Sequence, residues 1–241
     1  MLEPFRQLAQ QILLFWRHYI SSQVSGLFAL LAILGLITAT LSVGIFIAIS
    51  DVILDQQTLE IDTQILLAIQ RIHTPNLDRL MVLVTYLGDP WVLVLFALGL
   101  GLILLWRKRR LEAITLIVAS GGASGLNTWL KAIFARSRPA LWEQILHVKF
   151  YSFPSGHAMV SFVVYAMLAY GLAARFRHQQ LPIALFGISL IAAIGFSRLY
   201  IGVHWPTDVV AGYAAGLVWL ITCRLGFDMG RFFISRRQLL S

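Results

Sequence analysis

Charged side chains are scarce in this sequence: 12% of 241 residues, where a soluble domain carries about a quarter. From Ser21 to Ser50 there is no charge at all. That run is longer than the ~20 residues that cross a hydrocarbon core, which excludes an ordinary soluble domain and predicts an integral membrane protein. It also exceeds the roughly 7–15 apolar residues of a cleaved signal, and further apolar runs follow it, so it reads as a retained first helix. Cysteine is nearly absent. The single Cys223 excludes an intrachain disulfide and, inside an apolar run, serves as a small hydrophobe. Low-complexity segments, flexible linkers and internal repeats are missing too, which argues against a second domain.

What is present is a series of six apolar runs, at about 24–50, 80–106, 113–131, 156–174, 181–197 and 206–224. They predict an all-α, polytopic bundle of six transmembrane helices occupying residues 24–225. An amino-terminal segment, 1–23, precedes it and a basic tail, 226–241, follows. Residues 51–79 are polar and acidic, and their Leu66, Ile69 and Ile72 recur at helical spacing, which predicts a short amphipathic helix along the membrane surface. In the second run Asp89 precedes Pro90, as a helix-start residue would. Gly121 and Gly125 in the third run, and Gly212 and Gly216 in the sixth, are expected to let helices approach closely.

The basic excess, 19 Lys and Arg against 11 Asp and Glu, first suggests nucleic acid, but its distribution gives another meaning. With six spans and an inside amino terminus, twelve basic residues fall on inner segments, among them "RKRR" at 107–110, Arg175, Arg177, Arg224, Arg236 and Arg237. Only Glu3, Glu112 and Asp228 accompany them, while eight acids lie on outer segments. Positive charge stays inside, so both termini are expected in the cytoplasm, and no nucleic-acid partner is implied.

This topology gathers the unusual polar residues at the outer face. Lys131 is followed by Arg136, Arg138 and Pro139; the fourth span opens with "PSGH", Pro154 to His157; the fifth ends in "GFSRLYIGVHWPTD", with Arg198, His204 and Asp208. Alone, Lys131 would be a snorkelling lysine and His157 a structural histidine. Together they have chemistry in common. Lys131, Arg138 and Arg198 offer three cations. Pro154 suits a first helical turn, after which Ser155 and Gly156 would present backbone N–H groups to an anion. Such a pocket fits a phosphoryl group, whose transition state spreads negative charge over its oxygens. Asp208, four residues beyond His204, can hold one ring nitrogen and leave the other to attack phosphorus. His157, on a different helix, can protonate the leaving oxygen and then activate water.

The three motifs "KAIFARSRP" (131–139), "PSGH" (154–157) and "SRLYIGVHWPTD" (197–208) resemble the signature of the type 2 phosphatidic acid phosphatase family, which shares its core with the vanadium haloperoxidases. The resemblance implies a metal-independent, cofactor-free lipid phosphatase working through a phosphohistidine. It implies His204 as nucleophile, Asp208 as its orienting group and His157 as general acid and base. It also implies Lys131, Arg138, Ser155, Gly156 and Arg198 as holders of the phosphate oxygens. Arg136, which is not one of the phosphate-holding positions of the first motif, and Lys149 are left as headgroup contacts, with Asp89 unassigned. The substrate is a lipid phosphate or diphosphate in the bilayer, with phosphatidate-type glycerolipids and undecaprenyl diphosphate as rivals. A soluble haloperoxidase does not fit six lipid-length runs. A non-catalytic lipid-binding or transport protein would be expected to lack one of the two histidines. The expected location is the plasma membrane with an extracytoplasmic site; oligomeric state is not legible.

Overall fold

A computed structural model of the chain describes residues 26–54, 59–143, 146, 148 and 150–240. Among these residues every regular element is helical. The elements are α1 (Gly26–Leu54), α2 (Leu59–Gln70), α3 (Pro75–Tyr86), α4 (Pro90–Trp106) and α5 (Arg110–Phe134). After a loop come α6 (Gly156–Arg175), a single 3₁₀ turn (Arg177–Gln179), α7 (Gln180–Tyr200) and α8 (Pro206–Leu240). Contacts divide the chain into two units, Met1–Leu41 and Ser42–Ser241. Within its described residues the first unit holds only the opening part of α1; everything below concerns the second.

Among the described residues three helical segments are long and apolar enough to cross a membrane: Gly156–Arg175, Arg177–Tyr200 and Pro206–Asp228. The apolar run at 80–106 is not one straight helix. It breaks between Tyr86 and Pro90, and the two halves meet at 44°. The cause is local: Pro90 has no N–H to continue the ladder, and Asp89 caps the new helix by accepting from Trp91 N at 2.8 Å. Asp89 is thus the helix-start residue the sequence predicts. Upstream, Thr74 caps α3 in the same way, with Pro75 opening the helix. The last helix runs to Leu240, well past the predicted end of the sixth apolar run and through most of the basic tail.

The core lies between α4, α5, α6 and α8, where Leu93, Ala119, Ala123, Met159, Val163, Val164 and Ala215 are buried together. Between helices in a bilayer such contacts hold by close packing rather than by removal from water. Gly212 and Gly216 do bring helices together: a Cβ on Gly212 would come 2.8 Å from Ser155 O, and one on Gly216 3.0 Å from Met159 O. The expectation for Gly121 and Gly125 fails, since nothing lies within 4 Å of a Cβ at either. They sit one position off the packed face. Gly122 between them faces the Trp219 ring, whose indole N–H donates to Ala119 O. Cys223 is a free, buried thiol.

The outward sides of α4 and α7 expose Leu95, Leu102, Leu185, Phe186 and Ile188, a surface suited to lipid. α2 is not simply laid on a membrane. It packs against α7 and α8, with Leu66 and Asp62 buried and Ile69 against the Tyr200 cluster, while Ile72 lies beyond its end and is exposed.

Candidate active site

The site is assembled where the loop after α5, the start of α6, the end of α7 and the start of α8 converge. The register of α6 against α8 is fixed by main chain: Ser155 N donates to Asp208 O at 3.0 Å. This corrects one expectation, because that N–H is engaged and does not face the pocket. Pro154 also lies outside the helix. Ser155 is the N-cap, its hydroxyl accepting from Ala158 N at 3.5 Å, and Gly156 is the first helical residue. A Cβ on Gly156 would come 2.8 Å from the Asn127 side-chain oxygen, so a larger residue there would have to displace that amide. Asn127, which the sequence did not single out, also donates to Pro154 O at 3.1 Å and so supports the turn before α6.

His204 and Asp208 are both buried, and the short spacing does what helical geometry predicts. Asp208, in the first turn of α8, reaches back so that its Oδ2 lies 3.2 Å from His204 Nδ1 and also accepts from Trp205 N at 2.9 Å. A carboxylate only accepts, so the tautomer assigned to a neutral His204 carries its proton on Nδ1. The other nitrogen, Nε2, is 3.3 Å from Arg138 Nη1. Burial, then the charges of Arg138, Arg198 and Lys131, hold the His204 imidazole well below its ordinary pKa. A neutral ring with a directed lone pair is a nucleophile rather than a cation.

The three predicted cations act on this point together. Arg138 is held by the peptide oxygens of Phe150, Tyr151 and Val203. Burial pushes its pKa down to about 10 against the opposing pull of Asp208, so it remains charged at neutral pH. Lys131, in the last turn of α5, donates to Tyr151 O and to Ser152 O. Arg198, 2% exposed near the end of α7, donates from Nη1 to Thr85 Oγ1 at 2.7 Å, while its Nε is buried with no hydrogen-bond partner. An unsatisfied buried donor beside other cations is the mark of a place for an anion. His157, in the first turn of α6, stands beside Gly88 at the α3–α4 break, within the field of Arg198, Arg138 and Lys131. All eight predicted site residues therefore belong to this one region.

Two predicted headgroup contacts fare differently. Lys149 lies outside the described residues. Arg136 is not free to meet a headgroup: its guanidinium donates to Asp208 Oδ1 at 2.7 Å, Thr207 Oγ1 at 2.8 Å and Asp62 Oδ2 at 3.0 Å. Asp62 and Thr85 were missed by sequence reasoning. Asp62 is one acid among several in the polar 51–79 segment and Thr85 a lone hydroxyl in an apolar run, and no spacing rule connects either to the motifs.

The PAP2 superfamily model matches residues 112–231, which contain all three motifs. Phosphatidylglycerophosphatase B of Bacillus subtilis is 30% identical over 161 residues, covering 65% of this chain and 78% of that protein. This chain belongs to the PAP2 superfamily. Among other members, the undecaprenyl-diphosphatase of Sulfolobus acidocaldarius is 30% identical over 146 residues, 58% of this chain and 66% of that one. The solved structure of a transmembrane PAP2-type phosphatidylglycerolphosphate phosphatase from Bacillus subtilis superposes with a TM-score of 0.75 at 27% identity, covering 80% of this chain and 96% of that chain. The family match thus spans the helices that carry the site, α5 to α8, and the structural likeness extends well beyond them.

Proposed function

We propose that this protein, a membrane lipid phosphatase, hydrolyses the phosphate ester of a phosphatidate-type glycerolipid through a phosphohistidine on His204. The observation that carries this reading is the buried chain Asp208 Oδ2–His204 Nδ1 at 3.2 Å, with His204 Nε2 directed at Arg138 3.3 Å away. Nε2 attacks phosphorus and the P–O bond to the lipid breaks. The leaving alkoxide takes a proton from His157. His157 then removes a proton from water, which attacks the phosphohistidine and releases inorganic phosphate. Asp208 supports the positive charge that develops on His204. Lys131, Arg138 and Arg198, the hydroxyl of Ser155 and the N–H of Gly156 hold the phosphoryl oxygens, and no metal or other cofactor takes part.

The chain crosses the bilayer six times in this reading, through α1, the bent α3–α4 pair, α5, α6, α7 and α8. Both termini are cytoplasmic, and the site opens on the outer side of the plasma membrane, as the distribution of basic residues supports. A second substrate, undecaprenyl diphosphate, is favoured by the likeness to an enzyme named for it. The pocket chemistry is common to both: three cations recognise phosphate, whatever the tail. The test is phosphate release by the full-length protein in detergent micelles, with phosphatidate, phosphatidylglycerol phosphate and undecaprenyl diphosphate at matched concentration. A kcat/KM for the glycerolipids at least tenfold above the polyprenyl substrate supports the first substrate. The reverse order assigns the second, and no release from any of them removes the phosphatase reading.

A further inference from the structure

Behind the nucleophile stands a layer of buried charge that joins two of the motifs to Asp62, a residue outside all three. Asp62, 1% exposed on α2, faces Arg136 from the side opposite Asp208. The guanidinium divides its two terminal nitrogens between them: Nη1 goes to Asp208 Oδ1 at 2.7 Å and Nη2 to Asp62 Oδ2 at 3.0 Å. Thr207 ties Arg136 to Asp62. It accepts from Arg136 at 2.8 Å, donates its hydroxyl to Asp62 Oδ2 at 2.6 Å and its peptide N–H to Asp62 Oδ1 at 3.2 Å. The Trp205 ring lies 5.4 Å from the guanidinium carbon.

We propose that Asp62 and Arg136 are positioning residues for His204, acting on it through Asp208. The inference rests on the reading of His204 as nucleophile, and it deepens that reading. Asp208 has two oxygens. Oδ2 serves His204 and Trp205, and its direction depends on what holds Oδ1. Among the described residues the donor on Oδ1 is Arg136. Arg136 rises from the loop after α5, beyond the helix end, and its own direction is set by the far anchor on α2. Without Asp62 the guanidinium can swing toward the phosphate pocket or toward water, and the Asp208 carboxylate is then free to rotate. A misplacement of about 1 Å at a reacting group costs on the order of a hundredfold in rate. The trio also brings two negative charges and one positive, so its net charge opposes the positive charge arising on His204. Helix α2 thereby gains a role in the reaction, exerted through Arg136 and Asp208.

The test uses the full-length protein in micelles, with phosphatidate as substrate and folding checked by gel filtration. For Asp62→Ala and Arg136→Gln, kcat is expected to fall about ten- to hundredfold with KM within about twofold, since neither side chain touches the lipid. The double variant should lose no more than the worse single one, because the residues act as one unit. The initial rate of phosphoenzyme formation should fall in the same ratio while the label stays on His204. Wild-type kcat in folded Asp62→Ala overturns the proposal; so do losses that multiply in the double variant, or an Arg136→Gln effect confined to KM. If Asp62→Ala does not fold, Asp62→Asn decides: it keeps size and one acceptor, its kcat should still fall about threefold or more, and wild-type kcat refutes the role. His204→Ala separates the two readings. A labelled His204→Ala protein sinks the nucleophile assignment, whereas an inert one beside a fully active Asp62→Asn sinks the positioning role alone.

Discussion

Replacing Arg198 by lysine keeps the charge and removes the fork, and the structure says what that should cost. The guanidinium has five N–H donors; one is bound to Thr85 Oγ1 at 2.7 Å, and the Nε hydrogen is buried without a partner. A phosphoryl oxygen that meets Nε and the neighbouring terminal nitrogen would satisfy them side by side, which a lysine ammonium cannot do. Losing one preorganised donor to a transition-state oxyanion costs about 2.7–4 kcal/mol, or a hundred- to thousandfold in kcat. The lysine would also lose its anchor on Thr85, so the upper part of that range is expected. Thr85→Val tests the anchor separately. It preserves shape but removes one buried hydrogen bond, worth about 1.5 kcal/mol when a charged group is involved, so roughly a tenfold loss is expected. Both variants would be assayed for phosphate release in micelles, and for inhibition by vanadate, which mimics the phosphoryl group in the pocket. Vanadate affinity should weaken in step with kcat/KM across wild type, Thr85→Val and Arg198→Lys. A folded Arg198→Lys protein with wild-type turnover and unchanged vanadate inhibition would remove Arg198 from the phosphate site.

The two histidines should fail differently in a rapid quench with labelled aryl phosphate: His204→Ala forms no phosphoenzyme, while His157→Ala accumulates an acid-labile one because its base is gone. The opposite pattern reverses the assignment. Because burial and neighbouring cations depress His204, its neutral form should persist as the pH falls through the ordinary value of 6.5, with protonation and loss of nucleophilicity only below it. Magnetic resonance of isotope-labelled histidine in micelles checks this, and a half-protonated His204 at that pH contradicts the electrostatics. Activity should survive EDTA; loss in chelator that magnesium restores would contradict a pocket built from cations and N–H groups. Cysteine labels at Glu143 should react from outside intact cells and those at Lys108 and Gln179 only after permeabilisation. Labelling of Lys108 and Glu143 from the same side would overturn the six-span topology.

The parts of this protein legible in its sequence are those governed by short-range rules. The cap Asp89, followed by proline, and the four-residue step from His204 to Asp208 depend only on helix geometry. The three motifs marked the pocket because cations and histidines are conspicuous in an apolar chain. What failed depended on partners remote in sequence. The two glycines of "GGASG" predicted to be packed point away from neighbours, and the glycine beside Gly121 meets Trp219; spacing alone does not give a helix its rotation. The local pattern gives the Ser155 N–H to an anion, but Asp208 O, more than fifty residues on, accepts it instead. Arg136 looked like a spare cation because Asp62, its second carboxylate, stands on a helix that reads as a surface element.

The bond from Ser155 N to Asp208 O has a consequence for how such an enzyme can change. It joins the segment bearing one histidine to the segment bearing the other through peptide groups alone, and Gly212 and Gly216 admit the α6 backbone beside it. No side-chain replacement at Asp208, and none at Ser155 short of proline, removes that link, so the spacing between the histidines is sheltered from much of the variation a gene can accumulate. The surfaces that meet the lipid tail carry no such tie. Mutation can therefore redraw what the enzyme admits while the reaction stays in place, and selectivity is the quantity free to drift.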